Sequence, residues 1–167
     1  MHYVWQKTKG SKHVYSLTVK GGKSIAIVNY KKPLSSEAKT QINGGGEKYI
    51  FKRPSTWKRK VLVIDPADDT QITRFEPNWL GEGRFSIFGK DLFWKHQKWL
   101  GKRWAWIDGE GNQLVSFRAT GWAWTRIEAE SVSGLPPKLE HFLLTFGSFL
   151  FWLHMLDSSS VFVSVNP

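Results

Sequence analysis

Two groups of side chains have the types and spacing for binding chemistry. Lys52 and Arg53 stand before Trp57, and Lys58, Arg59 and Lys60 follow it, in a segment opened by Pro54. Cations around an aromatic tip suit an anionic membrane interface. The indole sits at headgroup level, and each nearby Lys or Arg contributes about 1 kcal/mol on an anionic leaflet. A plain solvated loop has the same composition. The second group interleaves Lys95, Lys98, Lys102 and Arg103 with Trp94, Trp99 and Trp104. It fits anionic headgroups too. It equally fits single-stranded nucleic acid, whose bases stack on indoles while cations hold the phosphates. The structural counterpart is a strand with Trp on its core face and Lys on the other.

Patterns for catalysis or metal binding are sparse. The chain has no Cys, which removes thiolate nucleophiles, Cys-based zinc sites and disulfides together. Asp108-Gly-Glu-Gly-Asn112 places oxygen ligands at alternate positions, as a calcium loop begins, but lacks the closing Glu and reads better as a hairpin turn. Asp68 and Asp69 lie beside Pro66 and read as turn residues. The five His show no zinc spacing. There is no Gly-x-Ser-x-Gly elbow and no phosphate loop. Glu76, Asp91 and Glu128 are carboxylates whose convergence only a structure decides. Neither cofactor nor metal is expected, and a binding role is favoured over an enzymatic one.

The formal net charge is +10 over 167 residues, which predicts attraction to phospholipid headgroups, nucleic acid or acidic proteins. The first residues, MHYVWQKTKGSKHV, contain no apolar run of signal-peptide length, so a cytoplasmic location, peripheral to membranes, is the expectation. Ten Trp and eleven Phe argue for a packed single domain over 1–167.

Positioning these groups falls to two kinds of element. Leu139 to Leu156 has apolar residues at three-and-four spacing, and Leu144, Phe151, Trp152 and Met155 cover the remaining face. The spacing predicts a helix over about 138–156, opened after Pro136 and Pro137, with Glu140 in the first turn and Asp157 to Ser160 ending it. A helix with almost no polar side must be enclosed by protein or by lipid. A buried core helix is the first reading, and a short tail anchor the second.

Upstream, short β-branched and aromatic stretches alternate with Gly, Pro, Asn and Asp, the pattern of an antiparallel meander. The strands are read at 14–19, 24–30, 48–53, 59–65, 71–75, 84–88, 92–96, 103–108, 113–117 and 122–127, with a further short one at 160–165. Residues 35–46 read as a polar surface loop with room for one helical turn. A sheet of this length curls and closes, and its interior must be filled. The class is therefore mainly β, a closed antiparallel barrel of about 10–12 strands enclosing the C-terminal helix.

The hairpin WAWIDGEGNQLVSF at 104–117, the strand pairs from Arg84, and the terminal helix HFLLTFGSFLFWLHMLD at 141–157 together resemble the tubby C-terminal-like superfamily, which includes tubby proteins, phospholipid scramblases and LURP-one-related proteins. The resemblance implies a barrel of roughly twelve strands around a central hydrophobic helix. It also implies a membrane-facing role, because tubby domains bind phosphoinositide headgroups through Lys and Arg. No motif here maps onto a known ligand position, so only the class of function carries over.

Overall fold

Most of the strands form because alternate residues along them are apolar, so that one face lies on a common core. Ala26, Val28 and Tyr30 do this in one strand, and Phe85 with Ile87 in another. The computed structural model describes residues 1–32, 35–55, 57–97, 103–120 and 126–163, with side chains to Ser158. It contains twelve strands: β1 (His2–Lys7), β2 (Val14–Val19), β3 (Ser24–Tyr30), β4 (Glu37–Ile42), β5 (Glu47–Lys52), β6 (Val61–Ile64), β7 (Gln71–Phe75), β8 (Gly83–Ile87), β9 (Lys90–Gln97), β10 (Arg103–Asp108), β11 (Gln113–Thr120) and β12 (Arg126–Ser131). One helix follows, α1 (Pro137–Val163).

Strands adjacent in the chain pair antiparallel, except β7 with β8, and β1 also pairs with β12, so one sheet runs β7 back to β1 and then from β12 to β8. The result is a nearly closed up-and-down barrel whose seam lies between β7 and β8. The seam is narrow. Thr73 Oγ1 donates to the Ser86 carbonyl across it at 2.8 Å. Near its end, a Cβ on Gly83 would lie 2.7 Å from the Glu76 carbonyl oxygen and 2.9 Å from the Phe75 ring, so only glycine lets the two strands approach there.

The interior is occupied by α1. Phe142, Leu143, Leu144, Phe146 and Phe151 are wholly buried, and covering each large apolar side chain is worth about 1.5–3 kcal/mol. The Phe146 ring lies 4.9 Å from Phe51 and 4.9 Å from Phe85, while Phe149 faces Tyr30 and Trp152 packs on Trp5 and Tyr15. The helix is thus contacted on every side, as a rod inside a sleeve. Its polar residues are satisfied locally: Thr145 Oγ1 donates to the His141 carbonyl and Ser148 Oγ to that of Leu144. Gly147 permits closest approach. A Cβ there would overlap the Phe117 ring and lie 2.8 Å from Trp106 Nε1, which donates to the Leu143 carbonyl at 3.0 Å.

Several sequence expectations are corrected. Residues 35–46 are not a surface loop throughout, because β4 occupies Glu37–Ile42 and buries Ala38, Thr40 and Ile42. Small and polar inward residues hid that strand, although a 3-10 turn does follow at Asn43–Gly45. β1 was not expected either. It buries Tyr3, Val4 and Trp5 and supplies the closing partner of β12. The helix does not stop at Asp157. It runs to Val163, since Ser158 Oγ donates to the His154 carbonyl within the helix and three serines are not enough to break it. A strand at 160–165 is therefore replaced by helix up to Val163, and positions 164–165 lie outside the described residues. The strand expected at 122–127 is β12, running Arg126–Ser131, and residues 121–125 likewise lie outside the description. Glu140 does lie in the first turn, but its carboxylate accepts from Tyr3 Oη at 2.8 Å and from Ser131 Oγ. Burial, then donation to Glu140, pushes the Tyr3 phenol up to about 12.

Candidate cation-lined cleft and aromatic rim

An up-and-down barrel puts alternate connections at opposite ends. The β1–β2, β3–β4, β5–β6 and β7–β8 connections share the end where α1 terminates, and they carry Lys9, Lys12, Lys31, Lys32, Arg53, Lys58, Arg59 and Lys60 against Glu76 and Glu82. The β2–β3, β6–β7 and β10–β11 turns at the other end carry Lys20 and Lys23 against Asp65, Asp68, Asp69 and Glu110, with Asp108 at the close of β10. Among the described connections the charge surplus therefore falls mainly at one end of the barrel, and that end is basic.

At the basic end, two indoles among the described residues stand in solvent. Trp57, in the β5–β6 connection, is 95% exposed and Trp79, in the β7–β8 connection, is 82% exposed. Arg59 ties the two connections together, because its Nη1 donates to the Trp79 carbonyl at 2.9 Å. Its backbone has φ +46°, a left-handed conformation that a non-glycine residue adopts at some cost. Asn78 supports the partner connection by accepting from the Leu80 and Glu82 amides. Among the described residues, Lys58, Arg59 and Lys60 make no ion pair, so their charge is available to a ligand.

Beneath this rim is a cleft of about 240 Å³, next to the barrel seam. Val61, Phe75, Trp94, Trp104, Leu150 and Leu153 form its apolar walls, Trp79 and Leu80 stand at its edge, and Arg53, Arg59, His154 and Asp157 supply the polar groups. Arg53 is not a rim cation as its sequence neighbourhood suggests. Its side chain is only 6% exposed, and Nη1 donates to both Asp157 carboxylate oxygens, at 2.9 and 2.7 Å. The pair clamps the end of β5 to the last turns of α1. Arg53 Nε is buried with no hydrogen-bond partner among the described residues, as is Trp104 Nε1.

The other expected site residues disperse. Lys52 is half-buried on the wall of β5 and lies 3.5 Å from Glu37. Lys95 is exposed on the outside of β9, over the Phe93 ring at 5.7 Å. Arg103 is half-buried at the start of β10. Lys98, Lys102 and Trp99 lie outside the described residues. Trp94 and Trp104 point inward and stack on each other at 5.4 Å, so they belong to the core and present no free face to a base. Trp79 and Leu80 were missed, although a Trp-Leu-Gly step in a polar connection is a legible sign of an exposed aromatic tip.

The remaining constellations are structural. The Asp108 carboxylate accepts from the Glu110 and Asn112 amides and from Asn112 Nδ2, which is the work of a hairpin turn and holds the carboxyl below its usual range. Asp68 does the same with Thr70. Glu76, Asp91 and Glu128 do not converge, since each pairs with its own arginine: Arg74, Arg84 and Arg118 respectively. Among the described residues, no group of three or more His, Asp or Glu could hold a metal ion. No family model, curated protein or solved structure matches the chain.

Proposed function

We propose that this protein is a binding module for anionic phospholipid surfaces and docks by its basic barrel end. The observation that carries the reading is the pair of exposed indoles, Trp57 and Trp79, set among Lys58, Arg59 and Lys60 on connections that Arg59 links. Large amphipathic rings fully in water are costly unless an interface receives them, and cations at the same level hold the anionic leaflet. The barrel around an apolar helix is the architecture that the tubby-like resemblance implies. We assign the chain to that superfamily as part of the same proposal.

Sedimentation with vesicles tests it. At low salt, vesicles rich in phosphatidylserine should carry the protein down, neutral phosphatidylcholine vesicles should not, and added salt should release it. Replacing Lys58, Arg59 and Lys60 together by Gln removes about 3 kcal/mol of leaflet attraction, or roughly a hundredfold in partitioning. Equal sedimentation of the wild type with both vesicle types would refute surface recognition. A parallel titration with a single-stranded oligonucleotide should be flat.

A further inference from the structure

We infer that the cleft beneath the basic rim is a binding site for one single-chain amphiphile with an anionic head, a phosphate or carboxylate joined to a short apolar chain. The inference rests on the membrane-surface reading for its setting, since a bilayer would supply such a ligand, but it stands mainly on other residues, with Arg59 shared between the two.

Three observations point to this chemistry. The first is Arg53. A guanidinium offers donors on two edges, and here Nη1 is taken by Asp157 while Nε is buried and unpartnered among the described residues. A buried unmade donor is destabilising, and a ligand oxygen admitted by a small shift of the cleft wall would satisfy Nε, since the Nε side of a guanidinium is one of the forks that receive phosphate or carboxylate oxygens. The second is charge. Asp157 offsets Arg53, and Arg59 adds a further cation at the same cleft, so the pocket favours a monoanion or dianion over a cation. The third is the wall opposite: Phe75, Trp94, Trp104, Leu150 and Leu153 give a hydrophobic lining that a bare ion would not use. A cleft of about 240 Å³ has room for a head and a short stretch of chain. The position at the seam, with Leu80 38% exposed at the edge, gives the chain a way in.

The test is calorimetric titration of the full chain with octyl phosphate below its micelle concentration, alongside inorganic phosphate and octyltrimethylammonium. Octyl phosphate should bind saturably at one site. Inorganic phosphate should bind at least about tenfold more weakly because it lacks the chain, and the ammonium should not bind. Leu80→Glu places a carboxylate at the cleft edge without touching the core and should weaken octyl phosphate binding about tenfold or more. Arg53→Gln made together with Asp157→Asn, which avoids stranding a charge, should do the same. The proposal is overturned if octyl phosphate does not saturate, if the ammonium binds equally well, or if both variants bind as the wild type does. Should the double variant fail to fold, Leu80→Glu alone decides. Vesicle sedimentation separates the two readings. Vesicle binding without octyl phosphate binding sinks the cleft and spares the surface, and the reverse sinks the surface and spares the cleft.

Discussion

Gly147→Ala distinguishes a helix held inside a barrel from one that merely sits in lipid or solvent, because the two arrangements give opposite signs. In an uncovered helix, Ala for Gly stabilises by about 1 kcal/mol, from backbone entropy. Inside this barrel the new methyl falls on the Phe117 ring and within 2.8 Å of Trp106 Nε1. Overpacking of a close-packed core costs about 1–3 kcal/mol. Displacing the Trp106 donor from the Leu143 carbonyl leaves a buried N–H unmade, at about 1–3 kcal/mol more. Taken against the propensity gain, the net loss is about 3 kcal/mol, and for a chain of this length that lowers Tm by about 6–12 °C. Thermal unfolding followed by near-ultraviolet circular dichroism reads it, since Trp106 itself reports on the packing. A Tm equal to or above the wild-type value would refute the enclosed helix.

Other outcomes follow from the same contacts. Asp157→Asn leaves the Arg53 guanidinium buried without its counter-charge and should cost about 1–3 kcal/mol in urea unfolding. Tyr3→Phe removes a donor from the buried Glu140 carboxylate and should cost about 1–3 kcal/mol at neutral pH. Burial chiefly, and then donation to Glu140, raises the folded Tyr3 phenol above its unfolded value to about 12, so its contribution is complete below pH 10 and is lost as pH rises towards 12. Tyr3→Phe should therefore narrow the gap between urea midpoints at pH 7 and pH 11, and an unchanged gap would contradict the assignment. Trp57→Ser with Trp79→Ser should weaken vesicle binding while leaving Tm within about 2 °C, because both rings are in solvent and surface changes away from special features are small.

Much of the fold was legible because strand alternation and the apolar helix are strong local signals. The helix announced itself by having no polar face, and the Trp104–Phe117 hairpin by its turn residues. What stayed hidden were elements whose inward faces are atypical. In β4 the buried side chains are Ala38, Thr40 and Ile42, two of them small or polar, and nothing local marks them as core. The site was only half legible for a related reason. Sequence proximity grouped Arg53 with Lys58, Arg59 and Lys60, yet Arg53 faces inward to an aspartate far along the chain. Trp79 belongs with Trp57 only because the barrel brings alternate connections to one end. Of the interleaved Trp and Lys, the described ones have a structural meaning, with Trp94 and Trp104 inward and Lys95 outward.

The most direct measurement of docking by the basic end uses the absence of native cysteine. Single variants Trp79→Cys and Glu110→Cys, each labelled with an environment-sensitive fluorophore, report on opposite ends of the barrel. On addition of phosphatidylserine vesicles at low salt, the label at position 79 should shift to the blue and brighten while the label at position 110 stays unchanged. Equal responses at both positions, or a response at position 110 alone, would contradict the docking face proposed for this protein.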